Sequence, residues 1–129
     1  MANFLFSGRI MNKREEGFYY EKIAGVYLEE QGYQIIEYNF YCRQGEIDII
    51  AMDGDTLVFV EVKLRKSADF AQAMEFVDRR KQDKIRITAS MYLSQNPTAL
   101  QPRFDVIEIY APYGLETRMP EITRIENAF

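Results

Sequence analysis

Gly45-Glu46-Ile47-Asp48-Ile49-Ile50-Ala51-Met52-Asp53-Gly54-Asp55-Thr56-Leu57-Val58-Phe59-Val60-Glu61-Val62-Lys63 reads as two strands and the turn that joins them. Both halves are dense in β-branched and aromatic residues, and Asp-Gly between such runs is a strong hairpin signal. With Asp53-Gly54 as a two-residue turn, paired residue numbers sum to 107, so Asp48 faces Phe59 and Glu46 faces Glu61. Side chains alternate along a strand, so Glu46, Asp48, Glu61 and Lys63 project to one side. The other side carries Ile47, Ile49, Val58, Val60 and Val62, an apolar face for helix packing. Asp48 and Glu61 are then diagonal neighbours with Cβ atoms about 7 Å apart. Carboxylates at that spacing can converge on one Mg²⁺, whose ligand bonds are about 2.0–2.1 Å. The plainer alternative is a hairpin end in water with Glu61 and Lys63 as an exposed ion pair, and the residues alone leave both open.

Outward from the hairpin, Tyr33 to Cys42 is rich in aromatic and β-branched residues and predicts another strand. Before it, Tyr20, Ile23, Ala24, Tyr27 and Leu28 recur at helical spacing, predicting a helix over about Glu16 to Gln31 that Gly32 stops. Residues 1–15 precede it as an arm. After the hairpin, Met74, Val77, Ile85, Thr88, Met91 and Tyr92 predict a helix from roughly Gln72 to Ser94, ended by Asn96-Pro97. A strand over Arg103 to Tyr110 and a short element over Glu121 to Ile125 complete the chain. The order αβββαβ(β) is an α/β domain, one mixed sheet with helices packed against it, spanning residues 16–129.

Composition narrows the chemistry. The 129 residues include no histidine and one cysteine, so His-based nucleophilic catalysis and His or thiolate zinc sites are out. Any metal is held by oxygen, which favours Mg²⁺, Mn²⁺ or Ca²⁺. The lone Cys42 fits a reducing cytoplasm, and neither a membrane span nor a signal peptide is expected. Net charge is −4, yet Val62 to Ser90 holds eight basic and four acidic residues, a segment of +4 in a remainder of −8. Such a segment can bind phosphate locally.

Gly45-Glu46-Ile47-Asp48, Leu57-Val58-Phe59-Val60-Glu61-Val62-Lys63, Arg103-Phe104-Asp105-Val106 and the terminal Asn127-Ala128-Phe129 together resemble the YraN-type family. These are small bacterial endonuclease-like proteins with the PD-(D/E)xK signature, distantly similar to archaeal Holliday junction resolvases. The resemblance spans about Glu16 to Phe129. It implies a restriction-endonuclease-like fold, a Mg²⁺ (or Mn²⁺) site, and DNA, including branched or structured DNA, as the substrate class. It also implies metal ligation by Asp48, Glu61 and the main-chain carbonyl of Val62, with Glu21 of the first helix joining the shell. Lys63 would then orient the attacking water or stabilise charge on the phosphate. Glu46 would support the ligands, and Lys81 would touch the DNA backbone.

Other assignments come from position. Arg65 and Lys66, just past the acid-bearing strand, and Arg80 and Lys84 on the second helix are expected phosphate contacts that position a duplex without reading its sequence. Asp105 is expected to be structural, pairing with Arg103 or Arg43. Tyr38, Phe40 and Tyr41 are expected to pack rather than stack on bases. Symmetric cutting of two strands would call for a homodimer, with the apolar arm (Phe4, Leu5, Phe6, Ile10, Met11) as one contact surface or as a segment folded back on its own domain.

Overall fold

The computed structural model describes residues 5–6, 9–67 and 77–129. Strands β1 (Leu5–Phe6) and β2 (Arg9–Ile10) pair as an antiparallel ribbon, and α1 (Lys13–Glu30) follows. A five-stranded sheet contains β3 (Gln34–Cys42), β4 (Gly45–Asp53), β5 (Thr56–Arg65), β6 (Gln101–Tyr110) and β7 (Glu121–Ile125) in spatial order. Helix α2 (Arg79–Gln95) connects β5 to β6, the one parallel pair; the other ladders are antiparallel. The predicted αβββαβ(β) topology is the observed one, and β7 matches the short fifth element. No helix among the described residues is long and apolar enough to cross a membrane.

Helix α1 begins three residues before residue 16, taking the end of the predicted arm. The cause is local. Asn12 accepts from the Glu15 N–H at 2.9 Å while its own N–H donates to the Glu15 carboxylate at 3.1 Å, a reciprocal capping box. The helix ends as predicted, with Gly32 in the left-handed region at φ 93°. Helix α2 starts at Arg79, not near Gln72, because Asp78 caps it by accepting from the Lys81 N–H. Met74 and the rest of 68–76 lie outside the described residues, as does Phe4 of the arm. Ile10, a candidate arm contact, is 72% exposed.

The sheet is covered on both faces. Helix α1 packs over Ile49, Ala51, Val58, Val60, Ile107 and Ile109, and α2 over Ile50, Leu57, Phe59 and Val106. Each of the central strands therefore buries both sets of alternate side chains, and the single apolar face predicted for the hairpin is corrected. Register is corrected too. Asp53 pairs with Thr56 and Ile49 with Val60, so Gly54-Asp55 forms the turn, with Gly54 at φ 59°. Moving the turn by one residue shifts the pairing sum by two, to 109, a shift that by itself exchanges no side chain between faces.

A second departure matters more for function. Ile47 lies against α2 although Ile49, two residues on, lies against α1. The facing strand does the same: Tyr38 packs with the α1 cluster and Phe40 with the α2 cluster. Between them Asn39 adopts a left-handed conformation, φ 55°, which Asn tolerates better than most residues. The β3–β4 ribbon thus turns over as a unit, and Asp48 sits at the turnover.

Candidate functional site

The β4–β5 ladder stops at Ile49–Val60. One residue beyond, Asp48 accepts a hydrogen bond from the Val62 N–H through Oδ2 at 2.8 Å, so a carboxylate occupies a place that a backbone carbonyl would hold in a continuing ladder. Continued one position past the end of that ladder, the 109 register sets Asp48 across from Glu61, not diagonal to it as the 107 pairing required. Both are buried, and with Glu21 of α1 they line one cavity of about 370 Å³. Glu46, Val62, Leu64, Lys66, Lys81 and the first two turns of α1 complete its wall.

Glu21 reaches the sheet because α1 lies very close to β3. A Cβ at Gly25, one turn on from Glu21, would stand 1.9 Å from the Tyr38 hydroxyl, so any larger residue there forces the Tyr38 ring or the helix to move. Lys22 sits over the Tyr38 ring at 4.5 Å on the same seam.

Three buried carboxyls in one cavity hold protons more tightly than usual. Burial first, then the charge of Asp48, raises Glu21 to about 8; a hydrogen bond with the Asn39 side chain opposes the shift. Burial and the charge of Asp48 raise Glu61 to about 7, against opposing pulls from Lys81 and Lys63. Asp48 is pushed up by burial and held down by the Val62 N–H. One oxygen of Glu21, Oε1, is buried with no hydrogen-bond partner among the described residues. An all-oxygen donor set with an orphaned carboxylate oxygen suits a hard divalent cation. Among the described residues, however, no three Asp, Glu, His or Cys side chains already converge as a metal-ligand cluster.

The predicted lysines divide. Glu61 lies between two ammonium groups, Lys63 Nζ at 3.6 Å and Lys81 Nζ at 3.8 Å. Lys81 therefore touches the acid centre itself, not only the outer surface of α2. Lys66 pairs with Glu16 at 3.3 Å and lines the cavity. Arg65, expected at the phosphate, is engaged elsewhere: its Nε donates to Glu108 at 3.0 Å and its guanidinium stacks on Tyr110 at 4.3 Å. Arg80 and Lys84 are exposed on α2. Asp105, fully buried, accepts from Arg103 Nε and Nη2 and from the Asn127 N–H, each at 2.9 Å, which is the structural role expected of it. Phe40 packs edge-on to Tyr92 at 5.1 Å, whereas Tyr41 is 73% exposed.

Two contributors escaped the sequence reading. Asn39 was a signal that could have been read, a polar residue tolerant of positive φ between two aromatics in a strand. Glu108 had no such signal; its burial depends on Arg65 arriving beside it from the parallel neighbour strand.

Residues 20–109 match the model of a family described as uncharacterised protein family UPF0102. The chain belongs to the UPF0102 family. A UPF0102 protein of Caldanaerobacter subterraneus subsp. tengcongensis is 46% identical over 120 residues, covering 92% of this chain and 98% of the relative. One from Acetivibrio thermocellus is 44% identical over 125 residues, covering 95% and 96%, and one from Colwellia psychrerythraea 39% over 123 residues, covering 95% of each. UPF0102 membership is consistent with the YraN-type, PD-(D/E)xK-like resemblance. The match takes in Glu21, Asp48, Glu61, Lys63 and Lys81, so every acid of the cavity core lies within it.

Proposed function

We propose that this protein is a metal-dependent nuclease that hydrolyses phosphodiester bonds in DNA. The observation that carries the reading is the burial of Glu21, Asp48 and Glu61 around one cavity, where burial makes all three hold protons more tightly and the charge of Asp48 adds to that at Glu21 and Glu61. Carboxyls clustered and buried inside strands and a helix cost stability unless something compensates them. Mg²⁺ or Mn²⁺, ligated by Asp48, Glu61, the Val62 carbonyl and Glu21, would replace those protons. When bound, the ion supplies Lewis-acid polarisation of the phosphate and a more acidic water. Glu46 adds negative charge at the rim and holds the ligand set attractive to a cation. Lys63 and Lys81, both near Glu61, bring positive charge to where the phosphate gains negative charge, and Lys63 orients the water. Lys66, Arg80 and Lys84 contact the DNA backbone, and Arg65 does so only on leaving Glu108.

A second reading, a non-catalytic nucleic-acid-binding or scaffold module that keeps the nuclease fold, is favoured by the lack of a converged three-ligand cluster among the described residues. One experiment separates them. Mg²⁺ and Mn²⁺ are titrated over wild type, Asp48→Ala and Glu61→Ala with linear, nicked and branched DNA, following both metal binding and cleavage. The nuclease reading expects cleavage by wild type alone, with both variants folded. Salt-sensitive DNA binding with no cleavage at any metal concentration selects the module.

A further inference from the structure

Tyr20 lines the cavity and carries a buried polar atom that the proposed nuclease does not use, its hydroxyl. Tyr20 is 3% exposed, its ring packed in the α1 core cluster and edge-on to Tyr19 at 5.4 Å. The hydroxyl oxygen is buried and has no hydrogen-bond partner among the described residues. Phenylalanine would supply the same packing without burying an unpaired hydroxyl, which is costly to leave unbonded. An orphan of this kind calls for a ligand.

Its surroundings say which kind. Tyr20 lines the same cavity as the three carboxyls, beside Lys13, Glu16 and Gly17 of the early turns of α1 and Lys66 beyond β5. A neutral phenol donates a hydrogen bond without any shift, and Glu16, whose charge bears on it, lies one helical turn before it in α1. Lys66 Nζ, 3.3 Å from Glu16, has a side chain more than half exposed, so it can turn to another anion at little cost. Two ammonium groups and one rigid neutral donor make this a place for tetrahedral oxyanions, next to the acids that suit a cation.

We infer that Tyr20 donates its hydroxyl proton in a hydrogen bond to a substrate phosphate held by Lys13 and Lys66, a phosphate subsite adjoining the carboxyl centre. The inference deepens the nuclease reading and rests on it for the identity of the substrate. Because the ring is fixed by packing, the donor is preorganised and loses little freedom on binding.

The test titrates inorganic phosphate without metal, and a short DNA duplex in Ca²⁺, against wild type and Tyr20→Phe. Thermal unfolding and Mn²⁺ binding are measured on both proteins. The expected result is binding of both probes by wild type and weakening of roughly tenfold or more in Tyr20→Phe, since hydrogen bonds to charged groups are among the stronger ones. The ligand-free variant should unfold at the wild-type temperature or higher, and bind Mn²⁺ as wild type does. Equal phosphate and DNA binding by the two proteins overturns the inference, as does no saturable binding by wild type. A lower unfolding temperature with unchanged binding also overturns it, by making the hydroxyl structural. Failure of wild type to bind Mn²⁺ sinks the metal-dependent reading instead, and leaves the phosphate titration to judge Tyr20.

Discussion

Raising the pH from 5.5 to 8 should destabilise the metal-free protein. An unfolded glutamate releases its proton near its ordinary 4.5, whereas folded Glu61 and Glu21 release theirs at about 7 and about 8. Between those values the folded chain binds more protons than the unfolded one, so stability falls as pH rises. The advantage is whole below about pH 4.5 and is lost through the window from there to about 8. Each retained proton is worth about 1.4 kcal/mol per pH unit. The two glutamates by themselves set an upper slope of about 2.7 kcal/mol per unit, and their mutual coupling favours a value nearer one proton. Even that lower slope removes about 3 kcal/mol over two units, a large share of an ordinary domain stability of about 5–15 kcal/mol. The chain has no histidine, so the slope in this window comes from the cavity carboxyls, with Asp48, also pushed up by burial, adding to the two glutamates. Urea denaturation from pH 5.5 to 8.5 reads the slope directly. Glu61→Gln should flatten it and be the more stable protein at pH 8. Mg²⁺ at a hundredfold excess over its Kd should restore about 2.7 kcal/mol at pH 8. Stability that stays flat or climbs with pH across this range refutes the proton-sharing cavity.

Two further outcomes test the scaffold. Gly25→Ala sets a Cβ into the Tyr38 hydroxyl and should cost about 1–3 kcal/mol in chemical denaturation; Tyr38→Phe in the same chain should recover part of it, and full wild-type stability of the single variant would show that α1 does not press on β3. Arg65→Ala strands the buried Glu108 carboxylate and should cost about 2–3 kcal/mol, below the usual figure for a broken buried pair because Arg65 is partly exposed. Adding Glu108→Gln should return most of that loss, whereas a purely DNA-contacting Arg65 would leave the unfolding midpoint unmoved.

The sequence by itself determined the order of elements, the hairpin, the exclusion of histidine and thiolate chemistry, and the group of acids worth watching. These are local properties. Periodicity, turn residues and composition act over a few neighbours, and a two-residue change in pairing sum by itself exchanges no side chain between faces, so even a misplaced turn left Asp48 and Glu61 together. Tertiary structure alone decided the environment of those acids. The turnover at Asn39 and Asp48 arises from packing β3 and β4 between two helices, and it frees the Asp48 carboxylate for the Val62 N–H. Glu21 joins Asp48 where α1 and β3 meet closely at Gly25 and Tyr38, and Glu61 gains Lys81 from the first turn of a helix twenty residues later. Arg65 is drawn from the expected phosphate path by Glu108 on a parallel strand more than forty residues away. Proton affinity depends on burial and on charges brought close through space, quantities that distant segments set jointly and that no short window of sequence contains.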